Sequence, residues 1–166
     1  MLQFDRGRVF CAAGASLLAA ALMPAAAIAA TTTTFDVTAN VVATCSVSAT
    51  QVAFGTYTGA QLDGSGTVSV TCTALWPYVV ELNAGTGSGA TVANRLMTGP
   101  ASSTIIYSLY QNALRTTPWG FTAAAQSVAG VGNGVAQSLT VYGRAPASQT
   151  PSVGSYSDTI TVTVTY

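Results

Sequence analysis

Across its 166 residues the chain has no histidine and no lysine. Without imidazole there is no Ser-His-Asp or Cys-His arrangement, no His general base and no His ligand for a metal. Charge of either sign is scarce, with five arginines against five acids. So few cations leave no electrostatic footprint for nucleic acid or an anionic membrane surface. The acids are scattered along the chain, and each reads more simply as a solvated loop or strand-face group than as half of a glycosidase-type pair. No C-x-x-C is present, which argues against a thiol oxidoreductase. The expectation is a protein that is not an enzyme and uses no cofactor and no metal.

Two glycine-rich stretches, GTGSG at 85–89 and GVGNG at 130–134, have the composition of phosphate loops. Neither is followed by a lysine nor opens a helical pattern, so both read as turns and no nucleotide is expected. Trp76, Trp119 and the tyrosines could build a sugar-stacking platform, although packing inside a sheet protein is the commoner use of such residues.

The first thirty residues have a character of their own. Arg6 and Arg8 precede the apolar run CAAGASLLAAALM, and Pro24 leads into Ala27-Ile28-Ala29-Ala30. A basic start, a short apolar centre and an A-x-A-like end describe a secretory signal peptide over residues 1–30, cleaved after Ala29 or Ala30. The run is shorter than the ~20 residues that span a bilayer, so the chain is not expected to be membrane-spanning. Cys11 opens the apolar run without small residues before it, a poor site for a lipid anchor. Beyond the cleavage point Arg95, Arg115 and Arg144 face Asp36, Asp63, Glu81 and Asp158, a net charge near −1. Such a chain is weakly protected against self-association. Only Cys45 and Cys72 survive cleavage, and in an oxidising compartment two such cysteines pair. The closed loop would stabilise the fold by roughly 3–4 kcal/mol on a chain-entropy view.

The remaining ~136 residues, enough for a single core, follow a period of two almost throughout. Phe35, Val37, Ala39 and Val41 alternate with polar residues, predicting a half-buried strand. VAFGTY at 52–57 reads as a short strand and YTGAQLDGSG as a loop. TVSVTCT places Val68, Val70 and Cys72 on one face, and YVVELN places Tyr78, Val80 and Leu82 inward. Arg95-Leu96-Met97 suits a short edge strand, and STIIYSLY a strand covered on both faces. Residues 111–134 are irregular and read as a long connection with one short strand. AQSLTVYGR is a strand, PASQTPSVGSY a connection, and DTITVTVTY the cleanest alternation, with Ile160, Val162, Val164 and Tyr166 on one face. Roughly seven or eight short strands parted by Gly/Pro-rich turns predict an all-β sandwich.

Three pieces of this pattern, TTTTFDVTANVVATCSVSA, VSVTCT and VYGRAPASQTPSVGSYSDTITVTVTY, resemble the spore coat protein U domain family, shared with the Csu-type subunits of archaic chaperone–usher pili. The resemblance spans Thr31 to Tyr166 and is loosest over 111–134. It implies an immunoglobulin-like β-sandwich that is incomplete, its final strand supplied in trans by the N-terminal donor strand of a neighbouring subunit. On that basis residues 31–42 are the donor, with Phe35, Val37, Ala39 and Val41 as plugs, and 43–166 the pilin-like domain. Ile160, Val162, Val164 and Tyr166 line the acceptor groove and meet a periplasmic chaperone. The partners so implied are copies of the chain in a homopolymeric fibre, the chaperone and an outer-membrane usher. The location is the cell surface, reached through the periplasm, or the medium if the protein is secreted, and the role is adhesion and biofilm formation. Composition and periodicity alone fit equally a first strand paired within its own domain. Two rival readings stand beside the pilin: a secreted coat protein, or a carbohydrate-binding adhesin module, each with a self-contained sandwich.

Overall fold

The computed structural model describes residues 28–166. The signal-peptide reading of residues 1–30 falls almost entirely on residues outside that range. Residues 40–166 form one compact unit. Its strands are β1 (Cys45–Ala49), β2 (Leu62–Cys72), β3 (Pro77–Leu82), β4 (Arg95–Thr98), β5 (Thr104–Tyr110), β6 (Val128–Val131), β7 (Gln137–Ala145) and β8 (Val162–Thr165). Two short 3-10 turns are the only helical elements among the described residues. The strands make a five-stranded sheet in the order β1-β2-β7-β5-β4 and a three-stranded sheet in the order β6-β3-β8. All pairings between them are antiparallel. The predicted all-β, immunoglobulin-like sandwich is what the chain forms.

Alternation explains the layers. Val68, Val70 and Cys72 of β2, Tyr78, Val80 and Leu82 of β3, and Ile105, Tyr107 and Leu109 of β5 turn their side chains into one buried cluster between the sheets. Thr and Ser fill the opposite faces, where β-branched and small polar residues suit a solvated pleat. The longest ladder runs from Leu62↔Ala145 to Val70↔Gln137 between β2 and β7. Cys45 and Cys72 face each other across β1 and β2 and are joined by a disulfide, as their number and compartment suggested.

The irregular stretch 111–127 supplies the core's largest side chain. Trp119 is 1% exposed, its indole nitrogen donates to the Val80 carbonyl at 3.0 Å, and this excludes it from any sugar platform. The edge strand β4 hides a charge. Arg95 is fully buried, and its guanidinium donates to the carbonyls of Asn83, Val92 and Trp119 at 2.7–3.0 Å. A buried cation survives when carbonyl dipoles replace its lost water. Burial lowers its pKa, and Tyr107 and Asp158 oppose that shift.

Four strand expectations need correction. Residues 28–44 hold no strand, and the plug residues Phe35, Val37, Ala39 and Val41 are exposed rather than half-buried. VAFGTY is no strand either, although Val52, Phe54 and Tyr57 pack on the core. The glycine-rich run YTGAQLDGSG is not a loop throughout, since it enters β2 at Leu62. Its glycines are needed because a Cβ on Gly66 would lie 2.9 Å from the Thr50 carbonyl oxygen, so the strand stays bare where residues 50–54 cross it. The final strand is short, starting at Val162, and Tyr166 beyond it is 54% exposed, not inward-facing.

Candidate functional site: an apolar cleft beside an open sheet edge

The polar chemistry of the domain is sparse and structural. Asp63 is forked by Arg144 at 2.8 and 2.9 Å, with Arg115 at 3.4 Å, on the outer face of the large sheet. The Arg144 hydrogen bond leads in holding the Asp63 carboxyl below its ordinary range, with both arginines' charges adding and burial opposing. Asp158 accepts from the Tyr107 hydroxyl at 2.7 Å and from the backbone and hydroxyl of Thr86 at 2.8 and 2.9 Å. Burial first, then this bond and the charge of Asp158, push the Tyr107 hydroxyl well above its usual pKa. Among the described residues no group of three or more His, Cys, Asp or Glu is placed to hold a metal ion.

The cavity that stands out is a cleft of ≈ 940 Å³ within the unit 40–166. One bank is the segment from Ala49 to Tyr57; the other is the run from Pro151 to Ile160, with Val162. Val68, Leu82, Ile105, Tyr107, Leu109 and Val141 of the core form its floor. Val52 and Phe54 lean over it because Gly143 leaves room: a Cβ there would lie 2.8 Å from both side chains. Phe54 meets the Tyr107 ring edge to face, centroids 5.8 Å apart.

The near bank presents backbone without a strand partner, whereas the far bank is tied at Ser157, which bridges Thr98 through backbone bonds of 2.9 and 3.1 Å. After the bond from Thr50 N–H to the Thr67 carbonyl, the main chain of residues 51–57 enters no hydrogen bond among the described residues. Opposite, β8 pairs with β3 on one side only and ends its sheet. Unpaired N–H and C=O groups at an edge are a template for another extended chain, and here the main chain of 51–57 and the free side of β8, which reaches the slot at Val162, flank an apolar floor.

The residues singled out from sequence are distributed unequally around this slot. Ile160 and Val162 line it, Val164 packs on the core beside it, and Tyr166 stands outside. Phe35, Val37 and Val41 are 84–88% exposed. The near bank, with Val52, Phe54 and Tyr57, escaped notice as a site. Its alternation is that of an ordinary strand, and the Pro/Ser-rich composition of the rim 151–156 is that of a connection, so neither carries a signal of a site.

Fold and cleft together define an immunoglobulin-like sandwich domain with an apolar slot between the unpaired segment 51–57 and the edge strand β8. The chain belongs to the spore coat protein U domain family, whose family model matches residues 31–163. It is 36% identical over 145 residues to Protein U of Myxococcus xanthus, covering 77% of this chain and 80% of that protein. Among solved structures it resembles a chain of the CsuC–CsuE chaperone–tip adhesion subunit pre-assembly complex from the archaic chaperone–usher Csu pili of Acinetobacter baumannii. The TM-score is 0.55 at 22% identity, over 76% of this chain and 40% of that one. This chain therefore spans about two-fifths of that structure's length, and at this identity the likeness concerns the fold.

Proposed function

We propose that this protein is a structural subunit of a surface fibre, assembled by donor-strand complementation along a chaperone–usher route and serving adhesion and biofilm growth. The observation that carries the reading is the slot, an apolar floor flanked by the unpaired main chain of residues 51–57 and the free side of the edge strand β8. A β-strand is the ligand suited to such a slot, because its main chain satisfies both edges while alternate side chains fill the floor. Residues 31–42 of the next copy are that strand, with Phe35, Val37, Ala39 and Val41 entering the slot. Burying these plugs contributes at most about 5–9 kcal/mol, an upper bound because a free segment is not fully solvated. Before assembly a periplasmic chaperone occupies the same slot against Ile160 and Val162, and the usher exchanges it for the donor. Family membership and the fold shared with a chain from a chaperone–pilus subunit complex support this reading.

The test uses material sheared from the surface of producing cells, run on a denaturing gel with and without boiling and with and without reductant. The expected result is a ladder that collapses on boiling but survives reductant alone. A monomer in every unboiled lane would replace this reading with a self-contained coat protein or carbohydrate-binding module.

A further inference from the structure

The two ends of the sandwich differ in chemistry. At the end where β2 leaves the disulfide, Leu75 is 88% exposed, Trp76 48%, Val131 54% and Val135 62%. Backbone bonds bind these loops together: Leu75 N–H to the Gly132 carbonyl and Gly132 N–H to the Trp76 carbonyl, both 2.8 Å. Residues 72–76 and 130–136 contain no charged side chain. Leu75 also holds φ at 65°, a conformation that a leucine rarely adopts, so its outward placement is kept against local strain. Apolar groups clustered and exposed in this way mark a contact surface more often than an accident of folding.

The start of the domain lies at the same end. Thr73 N–H donates to the Thr44 carbonyl, and Thr44 N–H to the Thr73 hydroxyl, both at 2.9 Å. The slot lies toward the other end, its lining taking in Leu62 and Ala145, which pair at the far end of the β2–β7 ladder, and the rim 151–155 beyond β7. On that rim Val153 is fully exposed. Val41 and Cys45 are four residues apart, a reach of at most about 14 Å. A plug at Val41 seated in a neighbour's slot would therefore hold the disulfide end of its own domain against that neighbour's rim.

From this placement we infer that the Leu75–Trp76 end packs on the rim 151–155, around Val153, of the copy whose slot holds the donor segment. This inference rests on the donor-strand reading and adds a second, head-to-tail contact that does not close into a ring. It makes each joint a two-point attachment, the strand in the slot and the apolar cap on the rim, and so limits swivelling about residues 42–44.

The experiment is a paired cysteine variant, Leu75→Cys with Val153→Cys, expressed in the full chain with its assembly partners and mildly oxidised as intact fibres. The expected result is a new ladder that survives boiling and collapses with reductant, absent from either single variant. Boil-sensitive ladders without that covalent ladder would overturn the contact and leave the donor-strand reading intact. Absence of any unboiled ladder, in the parent chain as well, would overturn both. Should the added thiols disturb Cys45–Cys72 pairing, Leu75→Ser serves instead, since its side chain is exposed and its loss spares the core. Its fibres should keep the boil-sensitive ladder but bend more sharply in electron micrographs; bending equal to the parent's would overturn the contact.

Discussion

In β2 the residues Val68, Val70 and Cys72 alternate with Thr and Ser and are no more than 2% exposed. Residues 35–41 alternate in the same manner, yet Phe35, Val37 and Val41 are 84–88% exposed. The difference is one of partners. β2 has β1 on one side and β7 on the other, so its backbone is paired while its inward face meets the opposing sheet. Residues 28–44 belong to no ladder in this chain. Period-two alternation states that a segment has an apolar face, and leaves open which molecule covers it. The segment 51–57 is intermediate, with Val52 and Phe54 packed on the core and the main chain unpaired.

The largest effects come from placing the same charge in each alternating set. Val70→Asp buries an unpaired carboxylate at a position with no exposure and should cost about 4 kcal/mol or more, enough to remove folded subunit from the periplasm. On the donor-strand reading, Val37→Asp should leave the subunit folded with an unchanged melting temperature, yet abolish the boil-sensitive ladder. Immunoblots of periplasmic and sheared fractions read both. A normal fibre yield from Val37→Asp would return the N-terminal segment to the role of a spacer.

This contrast also marks how far the sequence could be read. The sandwich, the disulfide, and the inward sets of β2 and β3 were legible because burial on one face leaves a period in the residues. The slot was half legible: Ile160 and Val162 lie on it, but Val52, Phe54 and the rim 151–156 were not recognised as its other walls. A cleft edge is defined by hydrogen bonds not made, and no residue pattern records an absent bond. Arg95 was missed for a related reason. An arginine on an edge strand reads as solvated, and only the convergence of the Asn83, Val92 and Trp119 carbonyls explains its burial. Glycine misled at 64–66, where it marks close backbone approach rather than a loop.

Within the paired region, the next largest effect concerns the cross-link that opens it. Cys45→Ser should lower stability by about 3–4 kcal/mol by releasing the loop between β1 and β2. Denaturant midpoints of the chaperone-free domain, oxidised and reduced, check this: the parent should lose its advantage on reduction and the variant should not change. A smaller effect is expected from Tyr107→Phe on the slot floor, about 1.5–3 kcal/mol at neutral pH through the lost hydrogen bond to the charged Asp158. Its pH dependence is directional. The folded state keeps the Tyr107 hydroxyl protonated above its ordinary value, so the unfolded chain releases that proton first. Parent stability should therefore fall as pH rises beyond about 10, and the gap between parent and variant should narrow there.

The smallest effect should come from the charged cluster on the outer face, far from either alternating set. Asp63 is held below its ordinary pKa first by the Arg144 hydrogen bond, so the folded state binds fewer protons than the unfolded chain in the acid range. That contribution is present above the unfolded carboxylate value of about 3.9 and is lost as pH falls through the lower folded value. Both partners face solvent, where screening and side-chain entropy offset most of the attraction. Asp63→Asn should accordingly leave the thermal midpoint at neutral pH almost unchanged and flatten only the acid limb of the stability profile. Thermal melts from pH 7 down to about pH 3, in low and high salt, separate the outcomes. A large loss at neutral pH that persists in high salt would show the Asp63–Arg144 fork holding β2 to β7, and the outer face would then belong with the buried strands rather than with the solvated surface.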